Sequence, residues 1–430
     1  MTDQAARRVV ISGMAINVPT GDNLDTYYEN LVAGKSAVTR WKFTDTSGIY
    51  SKVGGDLSEY DIKGKLAGTL ERLPETLRKA TSKLVRKAPF STKLTILCAA
   101  DAWLDAKLDT ADMAPERIGV VVGGHNLGNN LVYTNNVQFQ EEPEYIDSML
   151  ALIGLDTDQA SSVGESLGMR GPVYTMGGAC ASANVALRNA VDEIRYHDED
   201  VMLVAGAVLD FSPVDLQAMA IMGAISYKSF NDEPERASRP YDQAREGFVP
   251  SHGAAVLVVE ELEHAKRRGA HIYAELLGVA TASDGSHLPA PSVEGQVRTM
   301  RRLLDKAGVA PEEVDYINAH ATSTPVGDIS EVKSIKELFG KHAYRLKVNA
   351  TKSMLGHTCW SSPATETVAA ILQMNRGTLH PTINVDNIDP EVDIDVCANQ
   401  AVKHEVNVMM KNSFGFGGIN CCALYRKYND

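Results

Sequence analysis

Strand-like apolar runs recur along the whole chain, separated by stretches of helical periodicity, and this alternation constrains the fold more than any other feature. The runs are RRVVISGMAI, RIGVVVGG, DVMLVAGAV, AAVLVVEEL, EVDYINAHAT, VMMKNSFGFGG and CCALYRK. Near-continuous apolar strands between helices predict an α/β architecture with strands buried on both faces. There is also an internal echo. MAPERIGVVVGGH and VAPEEVDYINAHA share a helix end, an Ala-Pro turn, a short acidic connection and a strand, and their starting residues, Met113 and Val309, lie 196 positions apart. Two related α/β halves follow, read as residues 1–260 and 261–430, with chance similarity as the alternative. No proline-rich or low-complexity linker separates them, so they are expected to pack against each other. The polar stretch from Asn126 to Gly164 has weaker periodicity and is expected to be an excursion over a site or a dimer surface.

Composition narrows the function classes. The 430 residues are 44% hydrophobic and 23% charged, as in an ordinary globular protein. A net charge of -13 disfavours nonspecific attraction to nucleic acid or an anionic membrane. The six cysteines form no CxxC pair and no His/Cys cluster at metal-ligand spacing, so free thiols, no metal and a cytoplasmic protein are expected. The N-terminal stretch lacks the apolar core of a signal peptide, and no window approaches a membrane span. One basic patch runs against the overall charge: ETLRKATSKLVRKAP holds Arg78, Lys79, Lys83, Arg86 and Lys87, either a solvated helical face or a docking surface for something acidic.

In GGACASANVALRNAVDEI the apolar positions Val185, Leu187, Val191 and Ile194 predict a helix with one buried face, and Cys180 falls near its first turn. Free N–H groups and the helix macrodipole there favour a thiolate. A nucleophile and a small core residue both remain open on residue types alone. The second half adds NAHATSTPVGD, with His320, Thr322, Thr324 and Asp328; TKSMLGH, with Lys352 and His357; Glu366; and the glycine-rich turn NSFGFGG around Phe414 and Phe416. Two histidines beside one cysteine suit the stabilisation of a developing negative charge better than hydrolysis, which needs only one base. A lysine near such a histidine would hold it neutral.

From Val9 to Arg426 the chain resembles the β-ketoacyl-acyl carrier protein synthases, condensing enzymes of fatty acid and polyketide synthesis. The resemblance rests on GGACAS, NAHATSTPVGD, TKSMLGH, RPYDQAREGFV and NSFGFGGIN in combination. It implies a thiolase-like fold of two duplicated halves in α-β-α-β-α layers. Carried over by position, Cys180 would be the acyl-accepting nucleophile, with its own N–H and that of Phe414 as the oxyanion hole. Phe414 would also be the gate, with Phe416 beside it. His320 and His357 would bind a malonyl thioester and assist decarboxylation. Lys352 and Glu366 would support His357, and Asp328 the loop after His320. Thr322 and Thr324 would hold the phosphopantetheine arm, so no other cofactor is implied. Lys83, Arg86 and Lys87 would meet an acidic acyl carrier protein, and a homodimer is expected.

The chain also departs from that family. GFVPSHGAA places His252 where a glutamate is usual, and TCWSSPATE after His357 introduces Trp360 and Pro363 where small residues are common. A tryptophan there should fill volume otherwise open to a long acyl chain. HNLGNN, EEPEYID and DTDQ look like free-standing polyketide ketosynthases, including decarboxylases of β-branching cassettes, in which serine typically replaces the cysteine. The sequence therefore predicts a polyketide-type ketosynthase, with a malonyl-carrier protein decarboxylase as the alternative. A noncatalytic subunit resembling chain length factors is disfavoured by Cys180, His320 and His357.

Overall fold

The computed structural model describes residues 7–429; residues 1–6 and 430, at the outer ends of the two expected halves, lie outside the described residues. Ten strands form one hydrogen-bonded sheet: β1 Val9–Asn17, β2 Ile118–Gly123, β3 Val173–Met176, β4 Val201–Gly206, β5 Ala254–Glu261, β6 Ala274–Ser283, β7 Tyr316–Asn318, β8 Lys347–Asn349, β9 Val408–Gly415 and β10 Ile419–Arg426. Read outward from the centre, one side runs β1-β5-β4-β2-β3 and the other β6-β10-β9-β7-β8, so the same order appears twice. The pairing senses repeat too. In each half the two inner pairs are antiparallel and the two outer pairs parallel. The turns Pro115–Arg117 and Pro311–Glu313, the core of the sequence echo, lead into β2 and β7, which hold equivalent places. The halves join where Val9–Ile11 pairs with Ala274–Leu276.

Six helices bear on the site and its surroundings: α1 Glu75–Lys87, α2 Phe90–Asp105, α3 Ser182–Tyr196, α4 Val293–Ala307, α5 Gly327–Phe339 and α6 Ser362–Arg376. The outer helices α2 and α4 cover β1/β5 and β6/β10 respectively. Between the halves, α3 and α6 pack on each other, and each touches strands of both. That gives the five-layered thiolase-like arrangement. It also explains why α3 does not carry the single stripe expected of it. Leu187, Val191 and Ile194 are buried but Val185 is only half-buried, whereas Ala183, Ala186 and Ala190 are fully enclosed. A helix sandwiched between the two halves of the sheet needs two buried faces, and small residues let the backbones approach. In α6 every residue from Ser362 to Met374 is buried.

The excursion contains helices at Asn129–Glu141 and Asp156–Leu167. Its base is pinned at the sheet edge. The Asp156 carboxylate accepts from the N–H groups of Asn126 at 2.8 Å and Leu127 at 2.9 Å, and its carbonyl accepts from Thr175 Oγ1 of β3 at 3.0 Å. Among the described residues no helix is long and apolar enough to cross a membrane.

The central helices approach the strands at glycines. A Cβ on Gly123 would lie 2.6 Å from Ala183 Cα of α3, and one on Gly206 would lie 2.9 Å from Ala364 Cβ of α6. Neither helix has space to retreat, because the opposite half lies behind it. Gly206→Val is therefore expected to destabilise the fold by about 3 kcal/mol through overpacking, read as a lower denaturant midpoint. An unchanged midpoint would show that the layers yield at little cost.

Candidate active site

Cys180 sits in the tight turn Ala179–Ala181 that opens α3. The turn is held by Ser182, whose hydroxyl donates to the Ala179 carbonyl at 2.7 Å and accepts from the Gly178 N–H at 2.9 Å. Ala179 adopts φ +46°, a left-handed conformation strained for a residue with a Cβ. The second half repeats the device. Cys359, at φ +50°, opens the turn Cys359–Ser361 into α6, so Trp360 occupies the place equivalent to Cys180.

The electrostatics of Cys180 correct the expectation of a resting thiolate. Burial pushes its pKa up to about 11, against opposing contributions from the Lys352 ammonium and from backbone N–H groups. A helix terminus is worth at most about 2 kcal/mol, whereas full burial moves a pKa by up to about 3–5 units. At neutral pH Cys180 is a thiol.

His320 follows β7 and His357 follows the short helix Lys352–Leu355; their rings meet edge to face with centroids 5.5 Å apart. His357 Nδ1 accepts from the Cys359 N–H at 3.1 Å and lies 2.8 Å from Ser362 Oγ. A backbone N–H can only donate, so the neutral ring carries its proton on Nε2, which has no protein partner among the described residues. Both histidines are driven well below the usual imidazole range, first by burial and then by Lys352 and Lys411; His357 adds to the effect on His320. Both are neutral at pH 7.

Support for these rings comes from a buried ionic cluster. Lys352 Nζ donates to the His320 carbonyl at 2.6 Å and pairs with Glu366 Oε1 at 2.6 Å. The lysine thus anchors the backbone of His320 by a hydrogen bond, and reaches His357 through its charge alone. Glu366 Oε2 meets a second lysine, Lys411, at 2.7 Å. Glu331 on α5 receives the N–H groups of His320 at 3.0 Å and Ala321 at 2.8 Å, and the Asn412 amide at 3.0 Å. Asp328, also buried, accepts from the Tyr241 N–H at 3.0 Å and lies 3.6 Å from Arg245, tying RPYDQAREGFV to the His320 loop; burial raises its pKa to about 6.

A cavity of about 400 Å³ brings Cys180, His320, His357, Thr322, Thr324, Phe414 and Phe416 together. Thr322 and Thr324 hydroxyls lie 3.0 Å apart on its wall. Phe414 stands over His320, ring centroids 5.9 Å apart, whereas the N–H that faces the Cys180 sulfur belongs to Phe416. This corrects the expectation for Phe414. It is nearly the last residue of β9 and paired with Asn420, so its backbone is committed to the sheet, and the turn beyond it supplies the free amide.

Residues 6–265 match the family profile for the β-ketoacyl synthase N-terminal domain and residues 273–386 the one for its C-terminal domain. The chain belongs to the β-ketoacyl synthase family. It is similar to 3-oxoacyl-[acyl-carrier-protein] synthase 2 of Coxiella burnetii, with 36% identity over 96% of this chain and 97% of the relative. It is also similar to the chloroplastic 3-oxoacyl-[acyl-carrier-protein] synthase I of Arabidopsis thaliana, with 37% identity over 98% of this chain and 87% of the relative. Among solved structures it resembles the ishigamide ketosynthase/chain length factor, with TM-score 0.88 and 28% identity over 99% of this chain and all of that one. It also resembles a type II polyketide synthase acyl carrier protein in complex with its ketosynthase, with TM-score 0.82 and 28% identity over 99% of this chain and all of the matched one. The protein is an acyltransferase-type condensing enzyme.

Other features of this β-ketoacyl synthase lie away from the cavity. Trp360 is not part of its lining; it stacks on His125 with centroids 4.2 Å apart, and His125 presses against Gly177 just ahead of the Cys180 turn. Pro363 is buried in the first turn of α6. His252 is enclosed by Trp41, Phe43, Phe90 and Phe211, and its Nδ1 accepts from the Leu57 N–H at 3.1 Å. Lys83, Arg86 and Lys87 are carried on the outer face of α1, without salt bridges among the described residues and outside the cavity lining. The sequence reading missed Glu331, Lys411, Ser362 and His125. Of these only Lys411, a lone charge inside the apolar run VMMKNSF, stood out in the sequence.

If Cys180 rests as a thiol, its reaction with iodoacetamide should accelerate with pH up to about 11, with no plateau in the neutral range. A plateau at neutral pH would mean that the helix terminus outweighs burial.

Proposed function

We propose that this enzyme decarboxylates a malonyl group carried by an acyl carrier protein and condenses the resulting enolate with an acyl group held on Cys180. The observation that carries the reading is the convergence of one thiol and two neutral histidines in a single cavity. In the first half-reaction the Cys180 sulfur attacks the acyl thioester, the pantetheine thiol departs with the proton that Cys180 gives up, and Thr322 and Thr324 hold the arm. In the second, the malonyl thioester oxygen receives the His357 Nε2–H and a His320 N–H. The C–C bond to the carboxylate breaks, CO2 leaves, and the electron pair becomes an enolate. Its carbon then attacks the acyl-Cys180 carbonyl. The oxyanion accepts from the N–H groups of Cys180 and Phe416, and its collapse releases the Cys180 thiolate, which regains a proton. Removing one donor of this kind typically costs on the order of 100-fold in rate.

The enzyme is read as a polyketide-type, cytosolic homodimer. Supporting a dimer, β3 ends the sheet with an open edge, and the excursion pinned beside it exposes Val137, Phe139, Tyr145, Met149, Leu152 and Leu155. The cations of α1, which form no salt bridge among the described residues, suit an acidic carrier protein. A second reading, decarboxylation alone with protonation of the enolate to acetyl-carrier protein, is favoured by the Trp360–His125 stack, which occupies space next to the Cys180 turn.

Mass spectrometry of malonyl-carrier protein incubated with the enzyme separates the two. A β-ketoacyl product that requires an acyl donor and is lost in Cys180→Ala supports condensation. Acetyl-carrier protein formed without a donor and retained in Cys180→Ala supports the decarboxylase. Reversing Lys83, Arg86 and Lys87 to Glu is expected to weaken carrier binding by about tenfold or more at low salt, where screening is least; unchanged affinity would remove α1 from the docking surface.

A further inference from the structure

Lys411 lies on β9, is fully buried, and has no part in the proposed reaction. Its ammonium is 2.7 Å from Glu366 Oε2 and donates to the Asn412 carbonyl. Glu366 Oε1 is already occupied by Lys352 at 2.6 Å. One carboxylate therefore stands between two ammonium groups, all three side chains at most 1% exposed. For structure alone, the Lys352–Glu366 pair would suffice, and a second buried lysine adds a substantial desolvation cost. The other titratable groups around Lys411 are His320, His357, the Cys422 thiol of β10 and Glu331 of α5. Glu331 is engaged by three N–H donors, from His320, Ala321 and Asn412.

We infer that Lys411 is a positioning residue for the two histidines. By holding the free oxygen of Glu366, it gives the Lys352–Glu366–Lys411 triad one positive charge in excess, with the Glu331 carboxylate turned to three N–H donors, and this excess keeps both rings neutral hydrogen-bond donors into the acid range. The surplus acts in the direction the reaction needs, because it opposes a cation at either ring and favours the negative charge of an enolate between them. Lys411 depresses the basicity of both His320 and His357 but does not figure among the charges acting on Cys180, where Lys352 dominates. Within the cavity its effect should therefore fall on the histidines; the Cys422 thiol on which it also acts lies outside the cavity lining. Burial also lowers the pKa of Lys411 itself, and Glu366 and Glu331 oppose that.

The inference rests on the proposed decarboxylation only for its activity readout. Three variants of the full chain test it: Lys411→Met, Lys411→Gln and Lys411→Arg. Removing the charge should make the histidines easier to protonate, so the acid limb of malonyl-carrier protein decarboxylation moves up by about one pH unit in the Met and Gln variants. The Arg variant should keep the wild-type limb. The pH dependence of Cys180 alkylation should be the same in all. Nitrogen NMR of the imidazole rings reads the same shift without turnover. If the wild type fails to decarboxylate, the functional reading falls while the ring titrations still test Lys411. Titrations of His320 and His357 that match the wild type in either neutral variant would overturn the inference. Loss of the fold in both neutral variants would overturn it too, by showing that Lys411 is structural.

Discussion

The enclosure of α3 and α6 between the two halves is the constraint on which the site depends. Each helix is covered on opposite faces by sheet, so its N-terminal turn cannot be solvated and must be satisfied locally. Ser182 does this for the turn that bears Cys180, and His357 Nδ1, accepting from the Cys359 N–H, does it for the one that follows His357. The same enclosure selects alanine over larger residues along α3 and glycine on the strands beneath. Close packing there fixes how far Cys180, at the head of one helix, stands from His357, at the head of the other.

Burial then dictates the chemistry. Where two effects compete at Cys180, desolvation exceeds the helix terminus and the nearby lysine, and the sulfur rests as a thiol. At His320 and His357 desolvation and the lysines act together, so the rings stay neutral and donate hydrogen bonds without ionising. A dry cavity of this kind is poor at holding a resting ion pair. It suits a reaction in which negative charge appears only transiently, against donors already in place.

The doubled topology explains the division of labour. Each half has a strained turn leading into its central helix, but one turn presents Cys180 and the other Trp360. The first half thereby supplies the cavity's thiol. The second contributes both histidines, the threonines and the buried charges, and its turn stacks an indole on His125. A duplicated scaffold thus holds one asymmetric site.

Much of this was legible in the sequence, and for identifiable reasons. The apolar runs and the echo from Met113 to Val309 determined two α/β halves, because a strand buried on both faces must be apolar along its whole length. Cys180, His320 and His357 stood out because they sit in glycine-rich or turn-rich surroundings at the ends of strands and helices, where reactive groups are displayed. Only the tertiary structure decided what surrounds them. Glu331 and Ser362 act across contacts between distant elements, so no spacing along the chain announces them, and the lone charge of Lys411 in VMMKNSF says nothing of its partners. It also decided that Phe416 and not Phe414 offers its N–H to the sulfur, and that Lys352 anchors His320. Ionisation was settled there as well: residue type and helix position pointed to a thiolate at Cys180, but burial, which exists only once both halves close over the turn, keeps the proton on the sulfur.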